Sequence, residues 1–148
     1  MKKRRRAREL ALQGLYAWEI SGNSMETILE DVSLRVKNDE EIVAFASSLI
    51  RKTVSEKEDL DITVSSMVEN WEFKRIALID RIILREALCE LLYFETIPPK
   101  VTMNEAIDLA KKFSTNESGR FVNGILDALY KKLDSEKKII KKGRGLIE

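Results

Sequence analysis

Six of the seven residues from Lys2 to Arg8 are basic: Lys2, Lys3, Arg4, Arg5, Arg6 and Arg8. Charge of that density does no covalent chemistry, but it can neutralise the phosphates of a nucleic acid. A second cluster comes late in the chain, where Lys111, Lys112, Arg120 and Phe121 flank the polar run from Ser114 to Gly119. Two helix ends are expected to meet there. The incoming helix would offer its lysines and the outgoing one its free backbone N–H groups, both suited to phosphate. An aromatic ring on that rim can stack an unpaired base, a contact worth about 1–3 kcal/mol. Plainer readings stand beside each feature. A basic start can be a solvated tail, and lysines in a last helical turn complement the helix dipole. On spacing alone, Phe121 belongs to the buried stripe of the final helix.

The chemistry that the residues exclude is broader. The chain has no histidine and a single cysteine, Cys89, so it can form neither an internal disulfide nor a Cys/His zinc site. Ser-His and Cys-His nucleophile pairs are likewise impossible, and the usual general base near neutral pH is missing. The run from Gly119 to Gly124 has the glycine spacing of a phosphate loop, but Ile125 and Leu126 stand where Lys-Ser/Thr is required. Carboxylates are scattered among lysines as on solvated helix faces. These residues predict a protein that is not an enzyme and uses no cofactor or metal. Its charge is divided: residues 131–148 hold seven basic against three acidic side chains, and residues 9–130 hold 13 basic against 22 acidic. Basic ends on an acidic body point to a localised anionic partner. No apolar run approaches the roughly 20 residues that span a bilayer, and Glu9, Gln13 and Glu19 interrupt any leader-like stretch, so a cytoplasmic location with no membrane partner is expected.

The elements that must position these clusters are helical. With six glycines and two prolines in 148 residues and 44% hydrophobic content, turns are too few for a β-rich fold. The expectation is all-α: six or seven helices in two small bundles sharing one compact domain, with an N-terminal lobe over about 1–70, a C-terminal lobe over about 71–135 and a frayed tail over 136–148. In the first helix Ala7, Leu10, Ala11, Gly14, Leu15 and Trp18 form one stripe, while Leu12 and Tyr16 fall on the far side with Arg5 and Glu9. That ridge reads as a contact surface, or Tyr16 lies over a neighbouring helix. Ser21-Gly22-Asn23 ends the helix, Asn38-Asp39 caps a later one, and a kink is expected at Glu56–Asp59. Asn70-Trp71 begins the turn into the second half. The segment Ile76–Phe94 is apolar around most of its circumference and should be the central helix, with Asp80, Arg81 and Arg85 as an ion-pair set or a partner contact. Thr102 and Glu105 have capping-box spacing, Ser114–Glu117 repeats it, and Gly124 predicts close approach of another helix.

Three blocks then fall together: Arg4–Glu19 (RRRARELALQGLYAWE), Ile79–Leu91 (IDRIILREALCEL), and Ile97–Asp127 (IPPKVTMNEAIDLAKKFSTNESGRFVNGILD). In this order and spacing they resemble the NusB family of bacterial transcription antitermination factors. The resemblance implies two small helical bundles without catalytic activity. It implies binding to a single-stranded boxA-type RNA of ribosomal RNA operons, and a heterodimer with the ribosomal protein NusE on the elongating RNA polymerase. Carried over by position, Lys3, Arg4, Arg5, Arg6 and Arg8 would meet RNA phosphates. The loop Thr115–Ser118, Glu117 included, would complete the RNA surface with Lys112 and Phe121. Tyr16 and Asp80 occupy positions that face NusE, with Leu12 on the same ridge as Tyr16.

Two other functions are compatible with a basic helical protein. A DNA-binding regulator needs a helix exposing polar residues to the major groove, whereas the later helices have buried stripes and acidic outer faces. A purely protein-binding scaffold would leave the arginines without a role. The reading adopted is an RNA- and protein-binding adaptor in which the basic start and the late inter-helix corner converge on one unpaired strand.

Overall fold

Residues 2–68 and 70–142 are described by a computed structural model, with side chains for all of these except residues 70–72. Among them every regular element is an α-helix, eight in number against the six or seven expected. None is long and apolar enough to cross a membrane. The chain divides into two compact units between Ser55 and Glu56. The boundary thus falls at the expected kink and not near residue 70.

The first unit holds α1 (Lys2–Ser21), α2 (Met25–Arg35) and α3 (Glu40–Ser55), each packed on the other two. Its punctuation is the expected one. Gly22 takes a left-handed φ of 70°, which costs glycine nothing, and ends α1. The Ser24 hydroxyl accepts the Thr27 N–H at 3.2 Å to open α2, and Asp39 Oδ1 accepts the Ile42 N–H at 3.2 Å to open α3. Gly14 marks where the three helices close up. A Cβ there would stand 3.0 Å from Ile50 Cδ1 and 3.2 Å from Ile28 Cγ2.

The second unit contains α4 (Lys57–Ser65), α5 (Asn70–Arg75), α6 (Leu78–Tyr93), α7 (Pro99–Phe113) and α8 (Asn116–Ser135). Where a plain turn was expected at Asn70-Trp71, the backbone makes the short helix α5. Every residue of α6 from Ile82 to Leu91 is buried, and α4, α7 and α8 all lie against it. The central position expected of this segment is therefore observed. Burying ten consecutive residues also buries charge, which must be met. Arg85 donates Nε and Nη2 to the two carboxylate oxygens of Asp61 on α4. Glu90 accepts the Thr102 hydroxyl at 2.9 Å.

These pairings correct three sequence expectations. Asp80, Arg81 and Arg85 are not one ion-pair set: Arg85 goes to Asp61, Arg81 lies 5.9 Å from the Phe73 ring centroid, and Asp80 bonds elsewhere. Thr102 is not an N-cap, because Pro99 already supplies a helical φ and lacks only an N–H that a first turn cannot use, so α7 begins at Pro99, with Pro98 in the cap position. The tail is docked through residue 142. Lys141 Nζ donates to the carbonyls of Glu90 and Phe94, both at 2.9 Å, and the Lys142 N–H donates to Glu95 O at 2.8 Å. Those two carbonyls already accept the Phe94 and Ile97 N–H groups, and the ammonium takes a second lone pair on each at the negative end of the α6 dipole. Burial draws the Lys141 pKa below the ordinary lysine value, opposed by Glu90 and Glu95.

Gly124 is the fourth correction. No atom lies within 4 Å of where its Cβ would be, so no helix approaches there. Gly124→Ala should therefore raise stability by about 0.5–1 kcal/mol, read as a higher urea midpoint at unchanged slope. Tyr93 gives a second test. Burial first, and then its hydrogen bond to Glu56 at 3.1 Å, push the phenol pKa from 10.0 up to about 12. The folded state keeps this proton longer than the unfolded chain does. Its contribution to stability is thus full below pH 10 and is lost as pH rises through about 12. Absorbance titration of the three tyrosines should show one late phenolate that disappears in Tyr93→Phe.

Candidate nucleic-acid interface

The basic start is not a tail. α1 begins at Lys2, so the cations ride on the helix's first two turns, with no acidic residue among the first-turn side chains. Positive side chains at the positive end of a helix dipole oppose local stability and concentrate attraction for an anion. Part of that charge is spent within the unit. Lys3 Nζ lies 3.2 Å from Asp39 Oδ2 and 3.9 Å from Glu41, and this pairing raises its pKa and helps lower that of Asp39, whose largest stabilisation is the Ile42 backbone N–H. Arg4 and Arg8, one helical turn apart, stand 4.6 and 5.2 Å from the centroid of the Phe45 ring. Arg6 reaches Glu9 at 3.4 Å. Lys3, Arg4 and Arg5 are exposed and Arg6 is half-buried.

Two expectations in this helix fail. Arg8 is 3% exposed, and a guanidinium enclosed over Phe45 is a packing element and not an open phosphate contact. Leu12 is 1% exposed and does not share a contact ridge with Tyr16. The six residues from Ala7 to Leu12 are all buried, so α1 has no solvent side over that stretch. Tyr16, beyond it, is 39% exposed and does present its ring outward.

The corner between α7 and α8 is built from hydroxyls. The Thr115 hydroxyl caps α8 by accepting the Ser118 N–H at 3.0 Å, so the cap falls one residue later than the expected Ser114–Glu117 box. Ser118 Oγ lies 2.8 Å from Ser114 Oγ and donates to Asp80 Oδ2 at 2.9 Å. Around this centre the charges spread outward. Lys111 and Lys112 are exposed in the last turn of α7, Lys112 Nζ being 5.5 Å from the Phe113 ring centroid. Arg120 is exposed on the first turns of α8, and Glu117 is exposed beside it, where it suits the helix dipole and a base amino group but not a phosphate. Phe121, expected in the buried stripe, is 36% exposed. The stripe actually runs through Ser118, Val122, Leu126, Leu129 and Leu133, which leaves Phe121 on the rim.

Asp80 departs furthest from expectation. It is 7% exposed, one carboxylate oxygen is taken by Ser118 and the other is enclosed, so it offers no open carboxylate to a protein partner. Sequence reasoning placed Ser114 and Gly119 in the polar run but did not foresee their roles: Ser114 joins the hydroxyl cluster, and the Lys111 stem lies over Gly119. A Cβ on Gly119 would come within 2.9 Å of Lys111 Cγ. Phe45 and Asp39, which organise the basic turn, carried no signal beyond core spacing and capping.

Among the described residues every regular element is a helix, which makes this an all-α protein, and its cations gather at one helix start and again around a hydroxyl-lined corner, as suits an anion. The NusB family profile matches residues 5–131, and the chain belongs to that family. It is 44% identical to the transcription antitermination protein NusB of Salinibacter ruber over 99% of this chain and 92% of that one. It is 39% identical to the NusB of Chloroherpeton thalassium, over 98% of this chain and 69% of the relative. Among solved structures, T. maritima NusB superposes with a TM-score of 0.81 at 36% identity, covering 91% of this chain and 95% of that one. A structure of the antitermination factors NusB and NusE in complex with dsRNA matches at 26% identity and a TM-score of 0.81, covering 89% and 98%.

The packing of Lys111 over Gly119 is open to a direct test. Gly119→Ala should push the lysine stem aside and so fail to give the gain in stability expected of Gly124→Ala on the same helix, measured by urea denaturation.

Proposed function

We propose that this protein is a transcription antitermination factor that binds single-stranded boxA-type RNA of ribosomal RNA operons together with NusE. On this reading it acts in the cytoplasm on the RNA polymerase elongation complex. The observation that carries it is the rim of the α7–α8 corner: Phe121 stands 36% exposed beside exposed Lys111, Lys112 and Arg120. Exposed aromatic surface costs free energy in water, and a base that stacks on it while cations take the flanking phosphates recovers that cost. Lys3, Arg4, Arg5 and Arg6 supply the further phosphate contacts, and Tyr16 offers an outward ring to NusE. Family membership supports the role, and the related complex supports the pairing of NusE with RNA.

The test is RNA binding measured across salt concentration, with duplex RNA and duplex DNA as competitors. Duplex RNA is the informative competitor, because the related complex holds dsRNA. Affinity for single-stranded RNA should fall with salt at a log–log slope of about −0.7 per neutralised phosphate. Arg5→Ala and Arg120→Ala should each flatten the slope by about that amount, whereas Phe121→Ala should weaken binding about tenfold at unchanged slope. Flat salt dependence, or equal competition by either duplex, would remove this reading.

A further inference from the structure

Ser118 sits where four hydrogen bonds meet. Its N–H donates to Thr115 Oγ1 at 3.0 Å, and its Oγ lies 2.8 Å from Ser114 Oγ, 3.1 Å from Thr115 Oγ1 and 2.9 Å from Asp80 Oδ2. The protons have one consistent arrangement. A carboxylate only accepts, so Ser118 must give its single hydroxyl proton to Asp80. The Ser118 oxygen is then left to accept, and both Ser114 and Thr115 donate to it. Three hydroxyls thus point their protons along one directed chain that ends on a buried carboxylate 38 residues away in sequence. The charge at its end makes the last bond of the charge-assisted kind, stronger than a neutral pair.

We propose that Asp80 is a positioning residue of the RNA-binding corner, acting through Ser118 and not by contact with a protein partner. Asp80 lies in the first turn of α6, and Ser118 lies in the first turn of α8. Their bond fixes the start of α8 against the central helix. Arg120 and Phe121 follow Ser118 by two and three residues on the same helix, so the direction in which α8 leaves the corner sets where the cation and the ring stand. The 7% exposure of Asp80 and its enclosed second oxygen leave no surface for a partner to grip. This inference rests on the corner being an RNA contact, as proposed above.

The test compares the full chain with Asp80→Ala, Ser118→Ala, the double variant and Asp80→Asn, titrating each with single-stranded boxA-type RNA and, separately, with NusE. Each alanine should weaken RNA binding about tenfold, the scale of one lost charge-assisted bond. The double variant should be no weaker than the weaker single one, because both remove the same bond. Asp80→Asn keeps a carbonyl oxygen to accept from Ser118 and should stay near the parent affinity. NusE affinity should be unchanged throughout, which separates positioning from a general loss of structure. Additive losses in the double variant would overturn the proposal, as would loss of NusE binding with RNA affinity intact. If Asp80→Ala fails to fold, Ser118→Ala against Asp80→Asn decides the matter by the same contrast. Failure of the parent chain to bind RNA would instead remove the functional reading itself.

Discussion

A polar group taken out of water must be met inside, and α6 takes out several at once. A carboxylate or guanidinium left alone in an apolar interior is more expensive than a buried leucine is favourable, at about 1.5–3 kcal/mol for the latter. Other elements are drawn to several of the polar atoms that α6 buries, which offsets part of that cost. Arg85 brings in α4 through Asp61, Glu90 brings in α7 through Thr102, and Asp80 brings in α8 through Ser118. Its closing carbonyls bring in the tail through Lys141. Apolar packing supplies most of the free energy, but leucines are interchangeable in what they contact. The directed bonds choose which helix goes where, and one of them ends at the corner that carries the exposed ring.

The first unit has a related economy. Its basic turn serves two ends with one set of side chains. Lys3 pairs with the capping Asp39, and Arg4 and Arg8 lie over Phe45. Exposed pairs and stacked cations of this kind are weak, because water screens them, and are easily exchanged for phosphate. Such contacts hold a dense cationic turn in helical form without neutralising it. Arg8 alone is committed to the interior.

Misreadings of the sequence cluster where two helices compete for a residue. Thr102 has the spacing of a cap, but Pro99 had already begun the helix and Glu90 needed its hydroxyl. Leu12 falls off the main stripe of α1, yet that stretch of the helix has no solvent side at all. Phe121 matched a helical period, but the buried stripe of α8 passes one residue beyond it, through Val122. A period specifies a face only to within one residue, and a large ring one position off the centre line is exposed. Lys141 could not be found in advance, since nothing in a lysine-rich tail says which amine meets a pair of carbonyls.

Helical class, the caps at Gly22 and Asp39, the central role of residues 76–94 and the basic start were all determined by the sequence, because each depends on residues within a turn or two of one another. Family membership was legible for the same reason, in contiguous blocks. What tertiary structure alone decided is which polar atoms meet across long separations: Asp80 with Ser118, Asp61 with Arg85, Glu90 with Thr102, and Lys141 with the end of α6. Those choices depend on which helix faces lie within about 3 Å of each other. No local spacing encodes that distance.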